Sequence, residues 1–241
     1  MGEYMSIVER REREKKKRKN DIINAAERLF FSKGYDNVSM NDIAQDVELS
    51  KATIYLYFEN KESLFFTIVL RGTRILNSMI KKAVHNEDKG INLVNAYRTA
   101  YYKFTKEYPD YIQIYNYFQS GRFNLASKKI IENEIVKKET KKQSGNSLPY
   151  ISECAMEILK LRNERFSILC QSIKKGIDDG TIRQNLDPVE VTVLLSAISK
   201  SLSHIPHDHE KMLQSRGIDH DKYFRDVSEF IQRMIMNKEI E

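Results

Sequence analysis

The chain has only two cysteines in 241 residues, Cys154 and Cys170, and neither belongs to a Cys-x-x-Cys or Cys/His metal spacing. That excludes a disulfide-stapled scaffold, a zinc ribbon and a dithiol redox centre. Buried thiols in a reduced, cytoplasmic protein are the simplest reading. No apolar run is long enough to span a bilayer, and the N-terminus is charged rather than leader-like, so no membrane partner is expected. The nine glycines nowhere form a phosphate-binding loop. A G-x-S-x-G elbow and an H-E-x-x-H pair are also missing, which leaves scattered His and Asp as weak grounds for catalysis. The chain therefore reads as a non-enzyme with no cofactor. Alternating apolar runs bounded by hairpin turns are nearly absent too, so the expected fold is all-α.

What is present is an uneven charge. The formal net charge is +6, and 41% hydrophobic residues support a real core. Residues 1–19 carry eight Lys or Arg against four Glu, whereas residues 20–63 carry four against eight. The remainder, residues 64–241, carries 28 against 22. The first segment is a basic arm made of Arg10, Arg11, Arg13, Lys15, Lys16, Lys17, Arg18 and Lys19. Two readings stand side by side. The arm tracks a DNA backbone or enters a flanking minor groove, or it is a solvated leader or helical extension whose Glu and Lys residues pair internally.

Ser39 to Lys61 reads SMNDIAQDVELSKATIYLYFENK. Ser39 and Asp42 have the spacing of a capping box, with Asp in place of Glu, and predict a two-turn helix from Met40 to Asp46. Ser50 caps a second helix in the same way. Ile54 and Phe58 then share one face and pack back toward Ile43 and Val47, while Lys51, Thr53, Tyr55 and Tyr57 point elsewhere. Those four offer donors for phosphates and base edges. Any small helical hairpin also puts polar residues outside, so the pattern alone leaves both readings open.

The longer run IINAAERLFFSKGYDNVSMNDIAQDVELSKATIYLYFENKESLF, Ile22 to Phe65, closely resembles the N-terminal domain of TetR-family transcriptional regulators. The KGY turn, the small-polar start at Ser39, the Ile43-Ala44 pair, the S-K-x-T-I-Y-x-Y-F run and the NKE-x-LF opening carry the likeness. The resemblance implies a three-helix helix-turn-helix domain over residues 20–65, its motif at about 39–58, followed by a larger effector-binding and dimerisation domain over residues 66–241. It implies that Lys51, Ala52, Thr53 and Tyr55 approach bases and that Ser39, Tyr57 and Lys61 approach phosphates. Met40 and Asn41 sit at the groove-facing start of the second helix, and Ser50 is counted with the DNA-binding set. One position departs from the pattern: Glu48 stands where Gly is usual in the turn. A left-handed conformation there costs a non-glycine residue about 1 kcal/mol.

Beyond the motif, helical periodicity predicts helices over residues 61–84, 91–108, 111–119, 125–142, 150–179, 189–203 and 223–236. QSGNSLP, residues 143–149, reads as a lid loop. Tyr97, Tyr101, Phe104 and Tyr108 form one aromatic stripe, and Tyr111, Tyr115 and Phe118 another. Aromatic stripes are usually core, yet buried phenols need partners, and a few hydroxyls in an apolar cavity suit a ligand. The resemblance implies such an effector cavity, with Met79, Met156, Leu159, Phe166 and Cys170 on the opposite wall and a mainly apolar small molecule inside. The HIPHDHE stretch places His204, His207 and His209 within six residues. It reads as a polar loop fixed by Pro206, with a metal-responsive regulator as the alternative. The last two helices carry more apolar surface than one small domain buries. The resemblance implies a homodimer through them, and a monomeric core is the other reading. The leading function is a DNA-binding repressor released from its operator by a small effector. An architectural DNA-binding protein is the competing class.

Overall fold

A computed structural model describes residues 7–123 and 153–237. The helix expected over residues 125–142 and the loop over 143–149 lie outside the described residues. Among those described, ten helices form: α1 Ile7–Lys33, α2 Met40–Asp46, α3 Lys51–Tyr55, α4 Lys61–His85, α5 Gly90–Glu107, α6 Pro109–Gln119, α7 Glu153–Asp178, α8 Pro188–Leu202, α9 His207–Gln214 and α10 His220–Ile235. The fold is all-α, with one isolated antiparallel bridge between Ile182 and Met236. No described helix is long and apolar enough to cross a membrane. The chain divides into two compact units, Met1–Gly72 with Gln113–Leu159 and Thr73–Ile112 with Lys160–Glu241.

In the first unit, α1 begins well inside the basic arm. Nothing between Ile7 and Lys33 breaks a helix, and the run of Glu, Arg and Lys is strongly helix-forming. Residues 7–21 are exposed, and burial starts at Ile22, Ile23, Ala25, Ala26 and Phe30. Gly34, at φ 76°, ends the helix in the left-handed conformation that glycine takes without strain. Phe30, Tyr35, Phe65, Phe66, Tyr117, Phe118 and Phe123 then pack as one aromatic cluster. Its ring pairs are mostly tilted or edge-on, such as Tyr35–Phe65 at 4.7 Å, alongside a stacked Phe65–Phe123 pair at 5.1 Å. Each such pair contributes about 0.5–1.5 kcal/mol beyond the area it buries.

In the second unit, α5 and α7 approach until backbone meets backbone. A Cβ on Gly90 would lie 2.0 Å from the Gly176 amide nitrogen, so glycine is required there. Lys89 gives α5 no side-chain cap. The cap comes from the far side instead. The Gly90 amide donates to Asp179 Oδ2 at 2.7 Å and the Ile91 amide to Thr181 Oγ1 at 3.2 Å. Burial pushes the Asp179 carboxyl up, but the Thr181 hydroxyl and the Gly90 and Thr181 amides outweigh it and hold the group below its ordinary value. A buried polar network joins α4 to α7: Arg165 donates to Asn77 Oδ1 at 2.5 Å, and Asn77 Nδ2 donates to Glu164 at 3.0 Å.

The HIPHDHE stretch is not the loop throughout that its sequence suggests, because α9 begins at His207. Pro206 takes an extended ψ of 140° at the N-cap, which proline allows, and the following Glu-Lys-Met-Leu-Gln run continues the helix.

Candidate nucleic-acid interface

The helix-turn-helix is held by its caps. The Ser39 hydroxyl accepts from the Asp42 amide at 3.2 Å, and Asp42 Oδ2 accepts in return from the Ser39 amide and hydroxyl, both at 2.7 Å. The Ser39 hydroxyl and then its amide keep the Asp42 carboxyl below its ordinary value. Ile43, Ala44, Ile54 and Phe58 form the buried side of the unit. The α2–α3 turn closes with two bonds, Glu48 N–H to Gln45 O at 3.1 Å and Leu49 N–H to Ala44 O at 2.9 Å. That is the Schellman pairing, which requires a left-handed residue at the turn. Glu48 supplies it at φ 54°, the one non-glycine residue with positive φ among those described. Ser50 caps α3 by accepting from the Thr53 amide at 3.1 Å, and its hydroxyl also meets Thr53 Oγ1 at 2.8 Å.

The outer surface follows from this packing. Ser39, Asn41, Ser50, Lys51, Ala52 and Tyr55 are exposed, and Thr53 and Tyr57 are half-buried. Lys51 Nζ lies 5.9 Å from the Tyr55 ring, one turn along. Two expected residues sit differently. Met40 is 6% exposed, because the first position of α2 turns into the core alongside Ile43 and Ala44. Lys61 is drawn inward: its ammonium donates to Tyr35 O at 2.9 Å and Val38 O at 2.8 Å and lies 4.2 Å from the Tyr35 ring. It pins the α1–α2 turn. Burial, with help from Glu62, Tyr117 and Asp36, pushes the Tyr35 phenol up to about 12, so it stays neutral. Sequence reasoning misses Leu56, which is 81% exposed at the end of α3. An apolar residue flanked by Tyr55 and Tyr57 carries no sequence signal that it faces out.

Residues 22–68 match the family model described as bacterial regulatory proteins, tetR family. Residues 22–68 thus form a tetR-type N-terminal domain. The negative transcriptional regulator IcaR of the biofilm operon icaADBC from Staphylococcus epidermidis is 31% identical over 110 residues, covering 45% of this chain and 57% of that protein. The chain thus spans about half the length of the curated relatives it matches. Two solved structures share the fold. The ketosteroid transcriptional regulator KstR2 of Mycobacterium tuberculosis superposes with a TM-score of 0.64 at 12% identity, covering 92% of this chain and 96% of that one. A tetR-family regulatory protein from Rhodococcus RHA1 gives 0.63 at 17%, covering 90% and 96%.

Ahead of this tetR-type domain the basic arm is helical. Arg10, Arg11, Arg13, Lys15, Lys16, Lys17, Arg18 and Lys19 all lie in α1 and are exposed. Arg10 pairs with Glu14 at 3.0 Å, and Lys19 Nζ lies 5.5 Å from the Phe58 ring. The residues expected to line an effector cavity fall in both units. Tyr115, Phe118, Met156 and Leu159 belong to the first. Met79, Tyr97, Tyr101, Phe104, Tyr111, Phe166 and Cys170 belong to the second. Phe118 is consumed by the aromatic cluster, while Phe166 is 37% exposed. Tyr97, Phe104 and Tyr111 are buried. Among the described residues no group of three His, Cys, Asp or Glu is placed to hold a metal. His207 and His209 face solvent beside Glu210 and Asp208.

Proposed function

We propose that this chain is a dimeric, sequence-specific transcriptional regulator that places α3 in the major groove and is released from its operator by a small molecule. The observation that carries the reading is the capped α2–α3 unit. Its Schellman turn is intact, and it presents Ser39, Asn41, Lys51, Ala52 and Tyr55 on one exposed surface. Lys51, Ala52, Thr53 and Tyr55 read bases, while Ser39 and Tyr57 hold phosphates. The helical arm adds contacts to the backbone and offsets the acidic charge of the domain behind it. IcaR is a negative regulator, and repression by this chain rests on that likeness.

The dimer rests on α8 and α10. Val189, Val193 and Leu194 on α8 and Phe230 and Met234 on α10 are each 41–65% exposed, although both helices bury another apolar side. A second copy covering them supplies the second recognition helix that an operator with two half-sites about 34 Å apart requires.

Selection of bound duplexes from a random pool at near-physiological salt tests the reading. A palindrome with half-sites about one turn apart is the expected result. Binding to all DNA alike, with strong salt dependence, would instead make the chain an architectural protein.

A further inference from the structure

The second unit contains a buried cation that no described residue neutralises. Arg98, on the third turn of α5, is 2% exposed. Its Nε and Nη2 are buried without a hydrogen-bond partner. These two nitrogens form the side-on edge of the guanidinium, whose parallel N–H groups match the two oxygens of a carboxylate. The Phe224 ring, 5.8 Å from the guanidinium carbon, holds the group by its face. Asp221, on the same helix as Phe224, is engaged elsewhere: it takes the Lys106 ammonium at 2.7 Å and the Tyr102 hydroxyl at 2.7 Å. Burial alone brings Arg98 down to about 10, still charged at neutral pH.

Two cavities meet this side chain. One, of about 290 Å³, is lined by Asn95, Arg98, Thr99 and Phe224 and, from the polar side of α10, by Arg225, Ser228 and Gln232, with Glu229 beside them. Glu229 is ion-paired with Arg233. The other, beside Tyr101, Tyr102 and Ser199, holds only about 10 Å³, room for a single water. The first is large enough for a small organic acid and has amide and hydroxyl groups around it; Arg98 Nε and Nη2 lie behind its wall, closed to solvent, so an acid group reaches them only as that wall opens.

We infer that Arg98 is the anchor of a carboxylate-binding site between α5 and α10. It holds the acid group of a small organic anion side-on while Asn95, Thr99, Arg225 and Gln232 surround the remainder. A guanidinium left without a counter-ion in a packed interior is costly, and a ligand that supplies the counter-ion recovers that cost on binding. The 290 Å³ cavity is lined by none of the Tyr and Met residues expected to line an apolar cavity, and its binding does not depend on the DNA reading.

The experiment is a titration of the full chain with benzoate, hexanoate, inorganic phosphate and, as a neutral control, benzamide, followed by calorimetry and by the Arg Nε–H resonances. Saturable binding of a carboxylate is expected, with an Nε–H resonance shifting and benzamide silent. Arg98→Gln weakens binding by about tenfold or more, the loss of two charge-assisted hydrogen bonds. Arg98→Met abolishes it and, because it removes an uncompensated buried charge, raises the melting temperature of the unliganded protein. A structural arginine would behave oppositely, with Arg98→Met lowering the melting temperature. Equal carboxylate affinity in the wild type and Arg98→Gln, no saturable binding of either acid, or binding of phosphate alone would overturn the assignment.

Discussion

Two residues of the helix-turn-helix carry stability consequences that can be separated from DNA binding. Glu48 occupies a left-handed position that its β-carbon disfavours, and its side chain is exposed, with no ion pair to another described residue that would offset the strain. Glu48→Gly is expected to raise stability by about 0.5–1 kcal/mol, read as a higher melting temperature with the helix content unchanged. A lower melting temperature would mean that the side chain contributes more than the strain costs. Lys61 is the opposite case. Its ammonium closes the α1–α2 turn through two carbonyls and an aromatic face. Lys61→Met leaves both carbonyls short of a donor and is expected to cost about 2 kcal/mol in denaturant unfolding without DNA. A lysine reserved for phosphate would leave that stability unmoved. Sequence pattern could place Lys61 at a helix start, but not which way its long side chain folds back, because four rotatable bonds decide that and the carbonyls it reaches lie 23 and 26 residues away.

At the scale of elements, most of the motif was legible because its signals are local. Caps, the turn and the apolar spacing of Ile43, Ile54 and Phe58 are all written within a few residues of where they act. What stayed illegible is set by distant packing. Met40 turns inward, Leu56 outward, and α5 takes its cap from Asp179 and Thr181 across the unit. The helix at His207 was hidden behind Pro206, whose usual role as a breaker outweighed the helix-forming residues after it. The arm shows the same competition. A charge run reads equally as a leader or a helix, and the absence of any breaker up to Lys33 makes it helix. Its exposed residues 7–21 project about 22 Å beyond the start of burial, enough to cross several phosphates. Deleting Met1–Lys17 is expected to flatten the fall of log K with log salt, since each phosphate no longer neutralised takes close to one unit off the slope. An unchanged slope in operator-binding assays would show that the helix only extends the fold and touches no DNA.

For the whole molecule, acid stability and assembly draw on different surfaces. Lys81 hydrogen-bonds Glu164, and Lys106 with Tyr102 hydrogen-bonds Asp221; together with Asp42 and Asp179, these carboxyls stand below their ordinary values in the folded chain. Each binds its proton less readily folded than unfolded. The stability they contribute is complete above the unfolded values near pH 4 and is lost as pH falls through the folded ones. Glu62, raised by burial, acts in the opposite sense. The melting temperature should therefore fall between about pH 5 and pH 3, and Ser39→Ala, which releases Asp42, should make that fall shallower. The proposed dimer rests instead on apolar residues that do not titrate. Leu194 and Phe230 are 45% and 65% exposed, while Leu195 and Ile231, the next residues along each helix, are buried. Leu194→Glu with Phe230→Glu therefore alters the outer side of α8 and α10 and leaves the inner side packed. In the proposed dimer, two carboxylates placed in this apolar interface are costly to desolvate. Sedimentation is expected to show a folded monomer with the helix content of the wild type. Its affinity for a palindrome should drop to that of a single half-site, because one recognition helix then reads one groove alone. A double variant that still sediments as a dimer would place the interface elsewhere on the chain.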